Sequence, residues 1–149
     1  MSWWKRETPS SAAAIEHPRL GRLVWDGNAW VGTITVGDLH GVEVVLEGAE
    51  VGASGERVAA VLTGYPDLRA GIESALAPLL QHEGATPGGL GVGEADARRL
   101  AAECVLESIL ADKQGAIELA FSLDRVWPDA SLRVRMLPSG EIEPLGLDD

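Results

Sequence analysis

Ile117-Glu118-Leu119-Ala120-Phe121-Ser122-Leu123 alternates strictly: Ile117, Leu119, Phe121 and Leu123 fall on one side, and Glu118, Ala120 and Ser122 on the other. A period of two with one apolar and one polar side is the pattern of a half-buried antiparallel strand. Further on, Leu132, Val134 and Met136 alternate with Arg133 and Arg135, and Pro138-Ser139-Gly140 turns the chain into Glu141-Ile142-Glu143. The polar sides of these segments read acidic, basic, acidic. Arg133 and Arg135 are therefore expected between Glu118 on one side and Glu141 and Glu143 on the other, a favourable cross-strand order.

An N-terminal meander of three strands is legible in the same way. Arg22-Leu23-Val24-Trp25 reads as a short strand, followed by the hairpin punctuation Asp26-Gly27-Asn28. Ala29 to Val36 places Trp30, Ile34 and Val36 on one face and Val31, Thr33 and Thr35 on the other. Beyond the turn Gly37-Asp38-Leu39-His40-Gly41, Val42, Val44 and Leu46 alternate with Glu43, Val45 and Glu47. The middle of the chain is helical. Ser54 is the expected N-cap of a helix carrying Val58, Val61, Leu62 and Tyr65 at apolar spacing. A second helix runs from about Pro66 to His82, with Pro78 inside it expected to kink it or free the carbonyl of Ser74. After the glycine-rich stretch from Gly84 to Gly93, Glu94 and Asp96 suit the first turn of a helix bearing Ala97, Leu100, Ala101 and Cys104. Val105 to Ala111 reads equally well as a helix end or a strand. Strands, then helices, then strands is an α+β pattern: antiparallel meanders of three and of three to four strands, with two to three helices inserted. Residues 1–16 are expected to form a flexible arm and residues 17–149 a single α+β domain.

The chain of 149 residues is 46% hydrophobic and 23% charged, which excludes a disordered or collagen-like polymer. Its formal net charge is −11. Lys5, Arg6, Arg19 and Arg22 against Glu7 and Glu16 give residues 1–25 a net of +2, so the remainder carries −13. No basic footprint exists for nucleic acid or an anionic membrane, whereas a basic protein partner suits the charge. One cysteine excludes a disulfide framework. No apolar run is long enough to span a membrane or to serve as a signal peptide, so a cytoplasmic location is expected.

Catalytic motifs are not found. Gly88-Gly89-Leu90-Gly91-Val92-Gly93 follows a helix rather than a strand and lacks the Gly-Lys-Ser/Thr ending of a phosphate loop. His17, His40 and His82 have no metal-ligand spacing, and Asp124, Asp129, Asp148 and Asp149 do not form a calcium loop. Gly52-Ala53-Ser54-Gly55 is one residue short of a nucleophile elbow. Cys104 lies on an apolar helical stripe, where thiols are inert. No cofactor and no metal are expected. Five tryptophans stand against one Phe and one Tyr. Trp25 and Trp30 flank a hairpin turn and are placed to pack across it, Trp127 begins the loop between two strands, and Trp3-Trp4 is an apolar pair on a polar arm that either folds back onto the domain, mediates self-association or is disordered.

His17-Pro18-Arg19-Leu20-Gly21-Arg22-Leu23-Val24-Trp25-Asp26, followed by Trp30-Val31-Gly32, resembles the opening of a family of uncharacterised bacterial domains related to polymorphic-toxin immunity proteins. The ending is similar too, in Gly115-Ala116-Ile117-Glu118-Leu119-Ala120-Phe121 and Ile142-Glu143-Pro144-Leu145-Gly146. Where that family has an Asp-Trp-Asp-x-Glu-His-Gly segment, this chain has Asp124-Arg125-Val126-Trp127-Pro128-Asp129. The resemblance implies an immunity or interaction role and carries over no catalytic residue. The expected function is a non-enzymatic protein-interaction module acting through an acidic surface, with Glu43, Glu47, Trp127, Asp129, Trp3 and Trp4 as candidate partner contacts and a homo-oligomer left open. The alternative is a small-ligand binder or enzyme using a groove between helices and sheet.

Overall fold

The computed structural model describes residues 13–48, 50–82, 93–123 and 127–148. The two meanders are halves of one sheet. β1 (Ala14–His17), β2 (Gly21–Trp25), β3 (Ala29–Val36) and β4 (Leu39–Glu47) are followed by α1 (Gly52–Thr63), α2 (Tyr65–His82) and α3 (Glu94–Glu103), and then by β5 (Val105–Ala111), β6 (Ile117–Leu123), β7 (Trp127–Met136) and β8 (Ile142–Asp148). The eight strands lie side by side in chain order. Each neighbouring pair is antiparallel except β4 and β5, which are parallel. A parallel pair cannot be closed by a tight turn; it needs a long crossover, and the three helices supply it. The fold class is α+β, as expected from the sequence.

One face of the sheet is buried under the helices. Val42, Val44 and Leu46 of β4, Ile109 of β5, Leu119 and Phe121 of β6 and Leu132 and Val134 of β7 share a core with Val58, Ala59, Ile72, Leu76 and Leu80 of α1 and α2. Leu68 and Leu79 are partly buried against the same core and complete an apolar stripe along α2 with Ile72, Leu76 and Leu80. α2 packs against β8 at Gly71, where a Cβ would stand in van der Waals contact, 3.4 Å from Cδ1 of Ile142.

Local chemistry accounts for the turns. One oxygen of Asp26 accepts from the backbone N–H groups of Asn28 and Ala29, both at 2.8 Å, which closes the β2–β3 hairpin. Those two amides hold the Asp26 carboxyl below the usual carboxylate range. Asp112 does the same for Gln114 and Ala116 at 2.8 and 2.9 Å in the β5–β6 turn. Trp25 and Trp30 pack across their hairpin with ring centroids 5.5 Å apart. Gly32 answers a different need. A Cβ on it would lie 2.5 Å from the carbonyl oxygen of Arg22 and 2.9 Å from Cδ2 of Leu23. The β2–β3 ladder holds only Val24 with Val31 and Trp25 with Trp30. The start of β2 therefore rides over β3, and glycine leaves room for it.

Several expectations need correction. The arm drawn as residues 1–16 ends too late, because Ala14, Ile15 and Glu16 pair with Val24, Leu23 and Arg22 as β1; residues 1–12, with Trp3 and Trp4, lie outside the described residues. Ser54 is not the cap of α1, which begins at Gly52 after Val51 and has no side-chain cap. Ser122 lies on the polar side of β6 as expected, but is buried there. Glu141 does not flank the arginines: it lies in the β7–β8 turn, where its carbonyl accepts from Leu137 N–H at 2.8 Å. Val105 to Ala111 is a strand. At the sheet's two edges, β1 is only 4 residues long and β8 carries Pro144, features that oppose edge-to-edge pairing.

Candidate interaction surface

The helices cover one side of the sheet; the other side carries a continuous apolar row. Strand register places Val24, Val31, Val45 and Leu110 beside one another across β2, β3, β4 and β5. At about 4.8 Å per strand the row is roughly 14 Å wide. All four side chains are partly exposed, and none is among those packed against the core. The same row continues into charge, with Leu110 beside Glu118, Glu118 beside Arg135 and Arg135 beside Glu143. The next row along the strands is Thr33, Glu43, Ser108, Ala120 and Arg133. Val105, the one exposed large hydrophobic residue among those described, starts β5 on this side at 45% exposure, opposite Ser122.

The charges on this face are unequally matched. Arg133 bonds Glu118 at 3.3 Å, and Arg135 lies between Glu118 at 3.6 Å and Glu143 at 3.8 Å. At the other end, Arg22 faces Glu16 across the β1–β2 ladder at 4.0 Å. The three arginines are thus engaged by glutamates of the same face. Glu43 is exposed at the centre of β4 and Glu47 is partly exposed at its end, and neither has an ion pair among the described residues. They sit four residues apart on one face, with Val45 between them.

The remaining candidates do not join them. Trp127 and Asp129 belong to β7, three strands from β4, with Trp127 opposite Leu123. Their side chains, like Trp3 and Trp4 as a whole, lie outside the described residues. The six candidates named from the sequence thus yield one located pair, Glu43 and Glu47.

A cluster of perturbed titratable groups lies elsewhere, centred on a residue not singled out from the sequence. Arg69 of α2 donates from Nε to Glu73 at 2.6 Å, from Nη1 to the Tyr65 hydroxyl at 2.8 Å, and from Nη2 to the carbonyls of Ala101, Ala102 and Cys104 at 3.1, 3.2 and 2.7 Å. Its guanidinium carbon stands 5.6 Å from the centre of the Phe121 ring. Burial alone would lower its pKa, but the bonds to Glu73 and Tyr65 outweigh that and raise it above the usual guanidinium value. Burial raises the Tyr65 hydroxyl and pushes the Cys104 thiol up to about 12, so neither is a nucleophile near neutrality. Each nitrogen of the Arg69 fork donates to the protein's own acceptors. Arg69 satisfies carbonyls at the C-terminus of α3, which has no basic residue in its last turn. The constellation is a tie between helices and holds no free group for chemistry.

His17 has a similar duty. Its Nδ1 accepts from the N–H groups of Arg19 and Leu20, both at 3.1 Å, so its Nε2 carries the hydrogen and faces Glu56 of α1 at 3.2 Å. Arg19 reaches the carbonyl of Ala59 at 3.0 Å and the hydroxyl of Thr63. The His-Pro-Arg opening therefore fastens the β1–β2 hairpin onto α1. No group of three or more His, Cys, Asp or Glu side chains converges on a metal position among the described residues. A hollow of about 530 Å³ between α2 and α3 is lined by Glu73, Ser74, Pro78, Glu94 and Arg98. Its charges are spoken for, since Arg98 pairs with Glu94 at 3.0 Å and Glu73 with Arg69. No helix among the described residues is long and apolar enough to cross a membrane.

No protein-family model, curated protein or solved structure matches the chain. The likeness of its opening and closing motifs to the bacterial domain family stands on those residues alone.

Proposed function

We propose that the protein is a non-enzymatic protein-interaction module that seats a basic partner protein on the open face of its sheet. One observation carries this reading. The arginines of that face are engaged by neighbouring glutamates, while Glu43 and Glu47 have no ion pair among the described residues beside the partly exposed Val24–Val31–Val45–Leu110 row. An apolar strip rimmed by uncompensated charge matches the anatomy of a non-obligate interface, with an apolar centre and a polar rim. The chain's net charge of −11 acts in the same sense at longer range. Toxin neutralisation in the cytoplasm is the specific form of this role that the His-Pro-Arg opening motif suggests. The reading also fits a chain whose described thiol is buried and whose His17 and His40 make local hydrogen bonds.

The test is affinity capture from the native host with the wild type and an E43K/E47K variant side by side, followed by association kinetics of the recovered partner. The wild type should retain a basic protein that the variant loses. Association should slow by about tenfold or more between low salt and about 0.5 M, with dissociation less affected. Identical recovery by both proteins, salt-insensitive binding, or turnover of a small molecule would reject the proposal.

A further inference from the structure

Arg57 of α1 stands out as a cation without a partner. Its Nε is buried with no acceptor, and its guanidinium makes no hydrogen bond or ion pair among the described residues. Glu56, its neighbour in the chain, faces His17 and Arg19, and Asp112 of the β5–β6 turn accepts from two backbone amides of its own turn. A buried donor with no acceptor is costly and rare in folded proteins. The fold nevertheless makes room for this one. Gly115, at φ +99°, lies directly against it, and a Cβ there would come within 2.6 Å of Nη1. Arg57 lines a hollow of about 190 Å³ between α1 and the turns of the two C-terminal hairpins, with Gly115 beside it in the same wall. The other walls are apolar: Val61, Ile117, Met136, Leu137 and Pro138.

We propose that this hollow binds a small apolar monocarboxylic acid, with the carboxylate on the Arg57 fork and the hydrocarbon against Ile117, Met136 and Pro138. The pairing follows from the chemistry of the walls. A guanidinium presents parallel N–H donors that match a carboxylate, and such charge-assisted bonds are the strong ones. A phosphate or a dianion would leave charge against the apolar side, where no second cation lines the hollow. Size sets the hydrocarbon portion. A dry cavity of roughly 150 Å³ accommodates one benzene ring, so the volume here suits one ring or a short branched chain with its carboxylate. The hollow lies on the helix-covered side of the sheet, away from Glu43 and Glu47. Its occupancy is independent of any partner on the open face.

The experiment is an amide-resolved NMR titration of the full chain with phenylacetate, hexanoate, neutral phenylacetamide and inorganic phosphate. Saturable shifts at Gly115, Leu137 and Gly140 are expected with both carboxylates, with phenylacetamide at least about tenfold weaker and phosphate without effect. Arg57→Met keeps the stem, loses no existing bond and should fold normally, but should weaken the carboxylates by at least about tenfold. Ala60→Trp, on the exposed rim of the hollow, should fill it and abolish binding with Arg57 intact. The proposal is overturned by the absence of saturable shifts up to about 50 mM, by undiminished binding to Arg57→Met or Ala60→Trp, or by phosphate binding as well as the carboxylates.

Discussion

Replacing Arg69 by methionine keeps most of the side chain's apolar stem and removes the fork, with its place over Phe121, which makes it the sharpest probe of how the helices are held together. The fork serves five acceptors. Three are backbone carbonyls at the C-terminus of α3, shared by the two hydrogens of one nitrogen; the others are the Tyr65 hydroxyl and the Glu73 carboxylate. The Arg69 and Glu73 side chains are 21% and 30% exposed, so their pair is partly screened by water. A fully buried pair broken on one side costs about 3–5 kcal/mol, because the abandoned charge stays behind. Discounting for the exposure but adding the stranded carbonyls, we expect Arg69→Met to cost about 3 kcal/mol. With a urea slope of about 2 kcal/mol/M, the unfolding midpoint should fall by about 1.5 M.

Two companion variants separate charge from geometry. Arg69→Lys keeps the charge but cannot reach Glu73, Tyr65 and the α3 carbonyls together, and should recover less than half of the loss. Arg69→Met combined with Glu73→Leu removes the orphaned carboxylate and should cost less than Arg69→Met alone, a coupling that a double-mutant cycle reads directly. Hydrogen exchange supplies the spatial check, with lost protection concentrated in α3 and at the start of β5. A loss below about 1 kcal/mol for Arg69→Met, or full rescue by lysine, would refute the reasoning, since either result means the five-acceptor geometry contributes nothing.

Alkaline pH should destabilise the fold through two groups. Cys104 has a folded pKa raised from 9.0 to about 12, so its contribution is complete below pH 9 and is lost as the pH rises toward 12; Tyr65, also raised, acts in the same direction from pH 10.0 upward. At about pH 10.5 the thiol alone should lower stability by about 2 kcal/mol, measurable by urea titration and reduced in Cys104→Ala. Gly32→Ala should cost about 1–3 kcal/mol in the same assay, because the added methyl meets the Arg22 carbonyl and not a yielding side chain; a neutral effect would mean β2 does not lie over β3 as described. Phe121→Ala should cost about 3–5 kcal/mol, and Glu118→Ala, which removes one carboxylate partner from each of Arg133 and Arg135, about 1 kcal/mol; equal losses would overturn the assignment of their faces.

The parts of this fold that local pattern reveals are those where each strand meets its neighbours without interruption. β6 and β7 pair in register from Ile117 to Ser122, and their alternation in sequence is correspondingly clean. β5 is not like that. A bulge between Leu106 and Ser108 inserts one residue, so the buried positions Leu106 and Ile109 fall three apart, a helical spacing inside a strand. That displacement is the physical reason the segment reads as either element. The start of α1 is hidden for another reason: Gly55 packs against the His17 ring, which stands 3.1 Å from where its Cβ would be, and that neighbour comes from a distant hairpin. Nor does anything local announce that β4 and β5 lie side by side, since parallel pairing is fixed by how three helices cross the sheet. The open face divides along the same line. Alternation alone puts Glu43, Val45 and Glu47 on one side of β4, and Val31 on the outer side of β3. Only the joining of the two meanders brings Leu110 alongside Val45 and turns separate outward residues into a continuous strip. The charge balance on that strip is equally non-local, because Glu118 engages arginines from β7 while β4 has no cation opposite Glu43, only Thr33 and Ser108. A surface of this kind is written in the strand order. Changing the order of two strands would leave every amphipathic pattern intact and dissolve the site.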